Sequence, residues 1–265
     1  ASWGLFGAMP SFEDLENPES NLATEIISSD GVVLGKFYNE NRTAIKYKDL
    51  PKHLVDALVS TEDERFYEHS GIDAKRTFGA AAQLGSNGGA STLTQQLAKL
   101  LFHGEGSKFL PFRIVQKAKE WIIAIRLERQ YTKNEIIALY FNQVDFVNGA
   151  VGIRSAAKVY FNKEPRNLTI EESALLVGML TNPSRFNPNR FPERALKRRN
   201  IVLGQLVRNN HLEESAKEIL EKKPIKLDFH PESHLDGTAT YFREYLRDFM
   251  KKWVKNQKKP DGEEY

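Results

Sequence analysis

A mainly helical fold with one short N-terminal β-hairpin is what three features of this 265-residue chain predict. Beyond residue 50, apolar residues recur at the i, i+3, i+4 spacing of a helix face rather than in strict alternation. Two segments, Thr132-Lys133-Asn134-Glu135 and Thr169-Ile170-Glu171-Glu172, carry the Thr-x-x-Glu capping box that opens helices. Near the start, residues 24–28 and 32–38 flank Ser29-Asp30-Gly31 and read as two strands joined at an Asp-Gly turn.

Bulk properties set limits on function. The length allows one sizeable core with a small appended lobe. A 40% hydrophobic and 28% charged composition describes a soluble globular chain. The net charge of +3 makes it no polycation, so nucleic acid is not an expected partner and an anionic surface would have to meet a local basic patch. The absence of cysteine excludes disulfides and thiolate metal ligands. The stretch Ala174 to Leu180, among the longest apolar runs, is too short to cross a bilayer.

Along the chain, residues 1–22 read as a linker, polar and proline-containing from residue 8 onward. After the hairpin, Leu50 to Val59 reads as a helix with Pro51 in its first turn. At about 100° per residue, Val55, Leu58 and Glu62 share its apolar face. Burial disfavours the charged form of a carboxyl group and readies it to shuttle protons near neutrality. A helix-end cap or salt bridge is the alternative role for Glu62.

Gly88 to Lys99 reads as a glycine-rich turn feeding a second helix, with Thr92 and Gln95 as a capping box or Ser91 as the cap. Free N–H groups at such a start favour an anion. Gln96 and Lys99 share a polar face, while Leu93, Leu97, Leu100 and Leu101 form the side to be buried. Arg113 to Glu128 reads as a core helix, nearly apolar from Trp121 to Ile125. Arg113, Lys117 and Glu120 lie close to one face, and Lys117 three residues before Glu120 favours a charged pair, at a site or on a solvated surface. Helices follow both capping boxes, and Pro183 and Pro188 break the chain after the second. A further helix from Pro192 to Asn209 carries Arg194, Lys197, Arg198 and Arg199 as a solvated basic face. The last helix, Thr238 to about Lys255, places Tyr241, Phe242, Tyr245, Leu246, Phe249 and Trp253 on one stripe, the pattern of a core-facing side.

Taken together, these segments resemble one family. The match runs through Glu62-Asp63-x-x-Phe66-x-x-His69-x-Gly71, then Gly89-x-Ser91-Thr92-Leu93-Thr94-Gln95-Gln96-Leu97-x-Lys99, then Lys117-x-x-Glu120-x-x-x-Ala124-x-x-Leu127-Glu128. It continues through Tyr140-Phe141-Asn142, Gly149-Ala150-Val151-Gly152-Ile153 and Pro183-Ser184-Arg185-Phe186-Asn187-Pro188. Over residues 24 to 205 the chain resembles the peptidoglycan glycosyltransferase domain of class A, bifunctional penicillin-binding proteins (glycosyltransferase family 51). Departures from the family pattern stand at Leu100, Phe112, Gln116, Val147 and Arg154, and the nearest of them put the role of Arg113 most in question.

The resemblance implies a lysozyme-like helical main lobe with a smaller membrane-facing jaw lobe. It divides the chain into a membrane-exit linker (1–22), a glycosyltransferase domain (23–223) and the start of a linker toward a transpeptidase domain (224–265). It implies polymerisation of lipid II into β-1,4 glycan strands, with inversion and release of undecaprenyl pyrophosphate. Glu62 and Glu120 would be the catalytic carboxylates. Ser91, Gln95, Gln96, Lys99, Arg113 and Lys117 would bind substrate. A divalent cation such as Mg²⁺ would arrive with the pyrophosphate, since no dedicated protein cage for a metal is visible. The expected partners are lipid II, the growing strand, the bacterial membrane and other cell-wall synthesis proteins. The expected location is the outer face of the inner membrane, anchored by a helix upstream of residue 1. The loop Phe102 to Phe112 would present Phe109, Leu110 and Phe112 to the bilayer, or fold them onto the core. A lysozyme-like hydrolase and a non-catalytic glycan-binding scaffold are the rival readings.

Overall fold

The computed structural model describes residues 24–31, 33–37, 44–75, 91–102, 110–231 and 240–255. The expected linker over 1–22 and the loop centre at 103–109 lie outside them. The described residues are mainly helical. Strand β1 (Thr24–Ile27) pairs antiparallel with β2 (Val33–Phe37), Thr24 opposite Phe37, with an irregularity between Ile26 and Ile27. The Gly31 N–H closes the connecting turn on the Ser28 carbonyl at 2.9 Å.

Helices α1 (Lys52–Glu62), α2 (Leu93–Phe102), α3 (Leu110–Gln130), α4 (Lys133–Gln143), α5 (Ile153–Phe161), α6 (Ile170–Met179), α7 (Pro192–Arg208), α8 (Glu214–Lys222) and α9 (Thr240–Lys255) follow. Two packed groups position the site. In the first, α1 lies against α6 and α7, which pack on each other. Every residue of α6 from Ser173 to Met179 is buried, as a helix apolar on all sides requires. In the second group α2 packs against both α3 and α4. Leu54, Leu58, Leu97 and Phe141 are fully buried across these groups, each side chain worth about 1.5–3 kcal/mol.

Both capping boxes form as the sequence predicts. Thr132 accepts the Glu135 N–H and Glu135 accepts the Thr132 N–H; Thr169 and Glu172 repeat the arrangement. Asn142 ties α4 to the segment before α1, bonding both the N–H and the carbonyl of Ile45.

Three expectations need correction. Arg199 does not sit on a solvated basic face: it is buried, and its guanidinium donates to the carbonyls of Leu220, Glu221 and Lys223. These carbonyls lie at the end of α8, where that of Leu220 also accepts the Lys223 N–H, and a five-donor fork reaches all three at once. Leu100, assigned to the buried side of α2, is exposed. The aromatic stripe of α9 is not core. The helix lies against β2, and Tyr241, Phe242, Tyr245, Phe249 and Trp253 are exposed, Tyr241 at 95%. An amphipathic stripe marks a face able to be buried, and among the described residues no element covers this one. The segment after α8 packs back on the fold: the N–H groups of Asp228 and His230 bond the carbonyls of Tyr160 and Val159, and Ile225, Leu227 and Phe229 lie against the core. Among the described residues no helix is long and apolar enough to cross a membrane.

Candidate active site

The site is built where the loop after α1 meets the start of α2. Asp63 is fully buried, and its Oδ2 accepts the Leu93 backbone N–H at 2.9 Å. The His69 ring reaches the same oxygen at 3.0 Å. Thr92 Oγ1 accepts the Gln95 N–H at 3.2 Å and donates to the Gly71 carbonyl at 2.7 Å. Gln95 Nε2 donates to that carbonyl at 3.2 Å. Two of the N–H groups at the start of α2, which the sequence suggests would favour an anion, are thus already taken, that of Leu93 by Asp63 and that of Gln95 by Thr92. Nor does Gln95 close a capping box, since its amide turns to Gly71.

Gly71 is fixed by close approach. Its φ is +87°, and an added Cβ would stand 2.9 Å from the carbonyl carbon and oxygen of Ala124 in α3. Beside it, Lys133 Nζ donates to the His69 carbonyl at 2.6 Å and to Glu128 at 2.8 Å, lying 4.3 Å above the buried Phe66 ring. Thr94 donates to the same Glu128 oxygen at 2.6 Å. The loop from Glu62 to Gly71 is thus pinned to α2, α3 and α4 together.

That framework presents two carboxylates in different settings. Glu62, the last residue of α1, is half-buried, and Gln96 Nε2 donates to its Oε2 at 3.0 Å. Tyr140 of α4 donates in turn to Gln96 Oε1 at 3.0 Å. Burial, and then the charge of Glu62, push the Tyr140 phenol well above its ordinary value of 10.0. Glu120 of α3 is buried, and Lys117 Nζ stands 3.0 Å from its Oε2 and 2.7 Å from Ser91 Oγ. Ser91 is therefore an acceptor for the lysine rather than the cap of α2.

The structure brings Ser91, Lys117 and Glu120 into one cluster and joins Glu62 to Gln96. Gln95 is buried and bonded to the backbone, which gives it a structural position. Lys99 is exposed in the last turn of α2, three residues beyond Gln96. Arg113 lies in the first turns of α3, and its side chain is outside the described set. Among the described residues, no group of three or more His, Cys, Asp or Glu could hold a metal ion. Sequence reasoning gave no role to Asp63, His69 or Tyr140. Tyr140 reads locally as one more apolar position of α4, and its bond to Gln96 spans 44 residues.

Known proteins resemble this chain in sequence over most of its length. A family model described as transglycosylase matches residues 30–207. Penicillin-binding protein 1A of Pseudomonas aeruginosa is 34% identical over 247 residues, which cover 92% of this chain and 29% of that protein. Penicillin-binding protein 1F of Bacillus subtilis is 37% identical over 212 residues, 78% of this chain and 29% of that protein. The chain thus spans under a third of the length of these relatives. A crystal structure of penicillin-binding protein 1A from Haemophilus influenzae superposes with a TM-score of 0.50 at 22% identity, covering 89% of this chain and 25% of that one. That likeness concerns the fold.

Proposed function

The chain belongs to the transglycosylase family, and from that premise we propose that it is a peptidoglycan glycosyltransferase polymerising lipid II. The observation that carries the reading is the placing of two carboxylates on one framework: Glu120 beside the Lys117 ammonium, and the half-buried Glu62 at the end of α1, where it accepts the Gln96 amide. A carboxylate set beside a lysine suits a site that handles a polyanion; a partly exposed one oriented by a hydrogen-bond donor suits a site that takes a proton.

In the reaction, the 4-hydroxyl of the acceptor GlcNAc attacks the anomeric carbon of the donor MurNAc. The bond from that carbon to the lipid pyrophosphate breaks, the new β-1,4 bond forms with inversion, and the hydroxyl proton passes to Glu62. A sugar hydroxyl is a poor nucleophile without such a base. The departing pyrophosphate gathers negative charge, which Lys117, Lys99 and Arg113 stabilise, with Ser91 Oγ as a further hydrogen-bonding group. Glu120 keeps Lys117 placed. A divalent cation is compatible with this donor set only as one shared with substrate phosphates, with Glu120 as its protein ligand, because a single buried carboxylate makes no cage. When bound it would supply positive charge to the leaving group.

We propose with it a lysozyme-like helical main lobe with a smaller, membrane-facing jaw lobe that admits lipid. The enzyme works on the outer face of the cytoplasmic membrane, beside other cell-wall synthesis proteins. The test is incubation of the purified protein with lipid II in detergent or vesicles. Polymer is the expected product. In Glu62→Gln polymer falls by about 10²–10⁴-fold while thermal unfolding is unchanged. Cleaved glycan from preformed strands would instead mark a hydrolase, and no turnover with retained binding would mark a scaffold.

A further inference from the structure

We propose that Tyr140 is a positioning residue for the proton-transfer step, its hydroxyl fixing which end of the Gln96 amide faces the Glu62 carboxylate. The inference rests on Glu62 being the base of the reaction above. Tyr140 Oη stands 3.0 Å from Gln96 Oε1, and Gln96 Nε2 stands 3.0 Å from Glu62 Oε2. A glutamine amide has a donor end and an acceptor end of nearly equal shape, so a half-turn exchanges them. With its NH₂ toward Glu62, Gln96 gives a carboxylate oxygen the donor it needs. Turned over, it would set a carbonyl oxygen against that oxygen, with no proton between them.

The far end of the amide makes the same choice. Its carbonyl requires a donor, and the hydroxyl of the buried Tyr140 supplies one at 3.0 Å. In the reversed arrangement the phenol would receive an N–H, and its own proton would need another acceptor inside the core. Burial and the charge of Glu62 both hold the phenol in its protonated, donating form. The surrounding groups leave this ordering in place. Asp63, next to Glu62, is occupied by Leu93 and His69, and Lys99 is exposed one helical step beyond Gln96. The chain Tyr140–Gln96–Glu62 therefore sets the orientation of the base from α4, through α2, to the end of α1.

Two measurements test this. In protein carrying ¹⁵N glutamine, the Gln96 side-chain amide is identified by its loss in Gln96→Ala. Tyr140→Phe is expected to move that signal and to speed exchange of its protons with water about fivefold or more, with no substrate present. In lipid II polymerisation, Tyr140→Phe is expected to lower kcat about tenfold with KM within about twofold, and Tyr140→Phe combined with Gln96→Ala to be no slower than Gln96→Ala alone. An unmoved amide signal, or kcat losses that multiply, overturns the proposal. If Tyr140→Phe does not fold, 3-fluorotyrosine at position 140 replaces it; its stronger donation is expected to shift the signal the opposite way, and no shift overturns the proposal. Should the wild-type protein make no polymer, the assignment of the reaction falls, while the amide signal still decides whether Tyr140 orients Gln96.

Discussion

The carboxylate of Asp63 accepts the backbone N–H of Leu93 at 2.9 Å, so the residue after the proposed base caps the helix that carries Gln96 and Lys99. One buried charge joins the end of α1 to the start of α2 and fixes the spacing between the groups on each. Replacing it by a neutral stub strands both the Leu93 N–H and the His69 ring.

Asp63→Ala should therefore lower the free energy of unfolding by about 2–4 kcal/mol, read from urea denaturation with an unchanged slope. A loss within 0.5 kcal/mol, the level of ordinary surface substitutions, would contradict the capping role.

Gly71→Ala tests the close approach to α3. The methyl group meets the backbone of Ala124 at 2.9 Å, and φ of +87° is unfavourable for any other residue. We expect a destabilisation of about 2–4 kcal/mol, visible as a lowered Tm, since a main-chain obstacle cannot rotate aside. A Tm equal to that of the wild type would show that the loop shifts without strain.

Lys117→Ala removes the partner of both Ser91 and Glu120. It should weaken use of the pyrophosphate-bearing donor by about tenfold or more while acceptor dependence changes little. Kinetics with separate donor and acceptor analogues would decide, and equal effects on both would contradict the division of the site.

Acid should act on the capping box of α4. The Glu135 carboxyl is held below its ordinary 4.5 first by the Thr132 backbone N–H and then by the Thr132 hydroxyl, against a small opposing effect of burial. The folded chain thus binds this proton less tightly than the unfolded one. The stabilisation is present above about pH 4.5 and lost as pH falls through the folded value. Wild type should lead Glu135→Gln in Tm near neutrality, and the gap should close below that point; parallel Tm curves from pH 7 to pH 3 would remove the effect.

Much of this molecule is written in local chemistry. Both capping boxes, the helix after Pro51 and the Lys117–Glu120 pair depend on residues within four positions of each other, so spacing alone reveals them. Tyr140 and Asp63 escape because their partners lie 44 and 30 positions away. Arg199 sits in a run of basic residues whose pattern is that of a solvated face. Only the arrival of the α8 carbonyls distinguishes it from Arg194 and Lys197.

The strip of chain from Pro224 to His230 has a practical bearing on where this unit ends. It closes over Tyr160 with two main-chain bonds and a ring contact between Tyr160 and Phe229 at 5.7 Å. A protein shortened to Lys223 would lose that strap, uncover aromatic surface on α5 and take away the segment beside the Arg199 clasp. A protease acting on the native protein should accordingly spare residues 224–230, which run seven positions past the domain end at residue 223 that the resemblance implies.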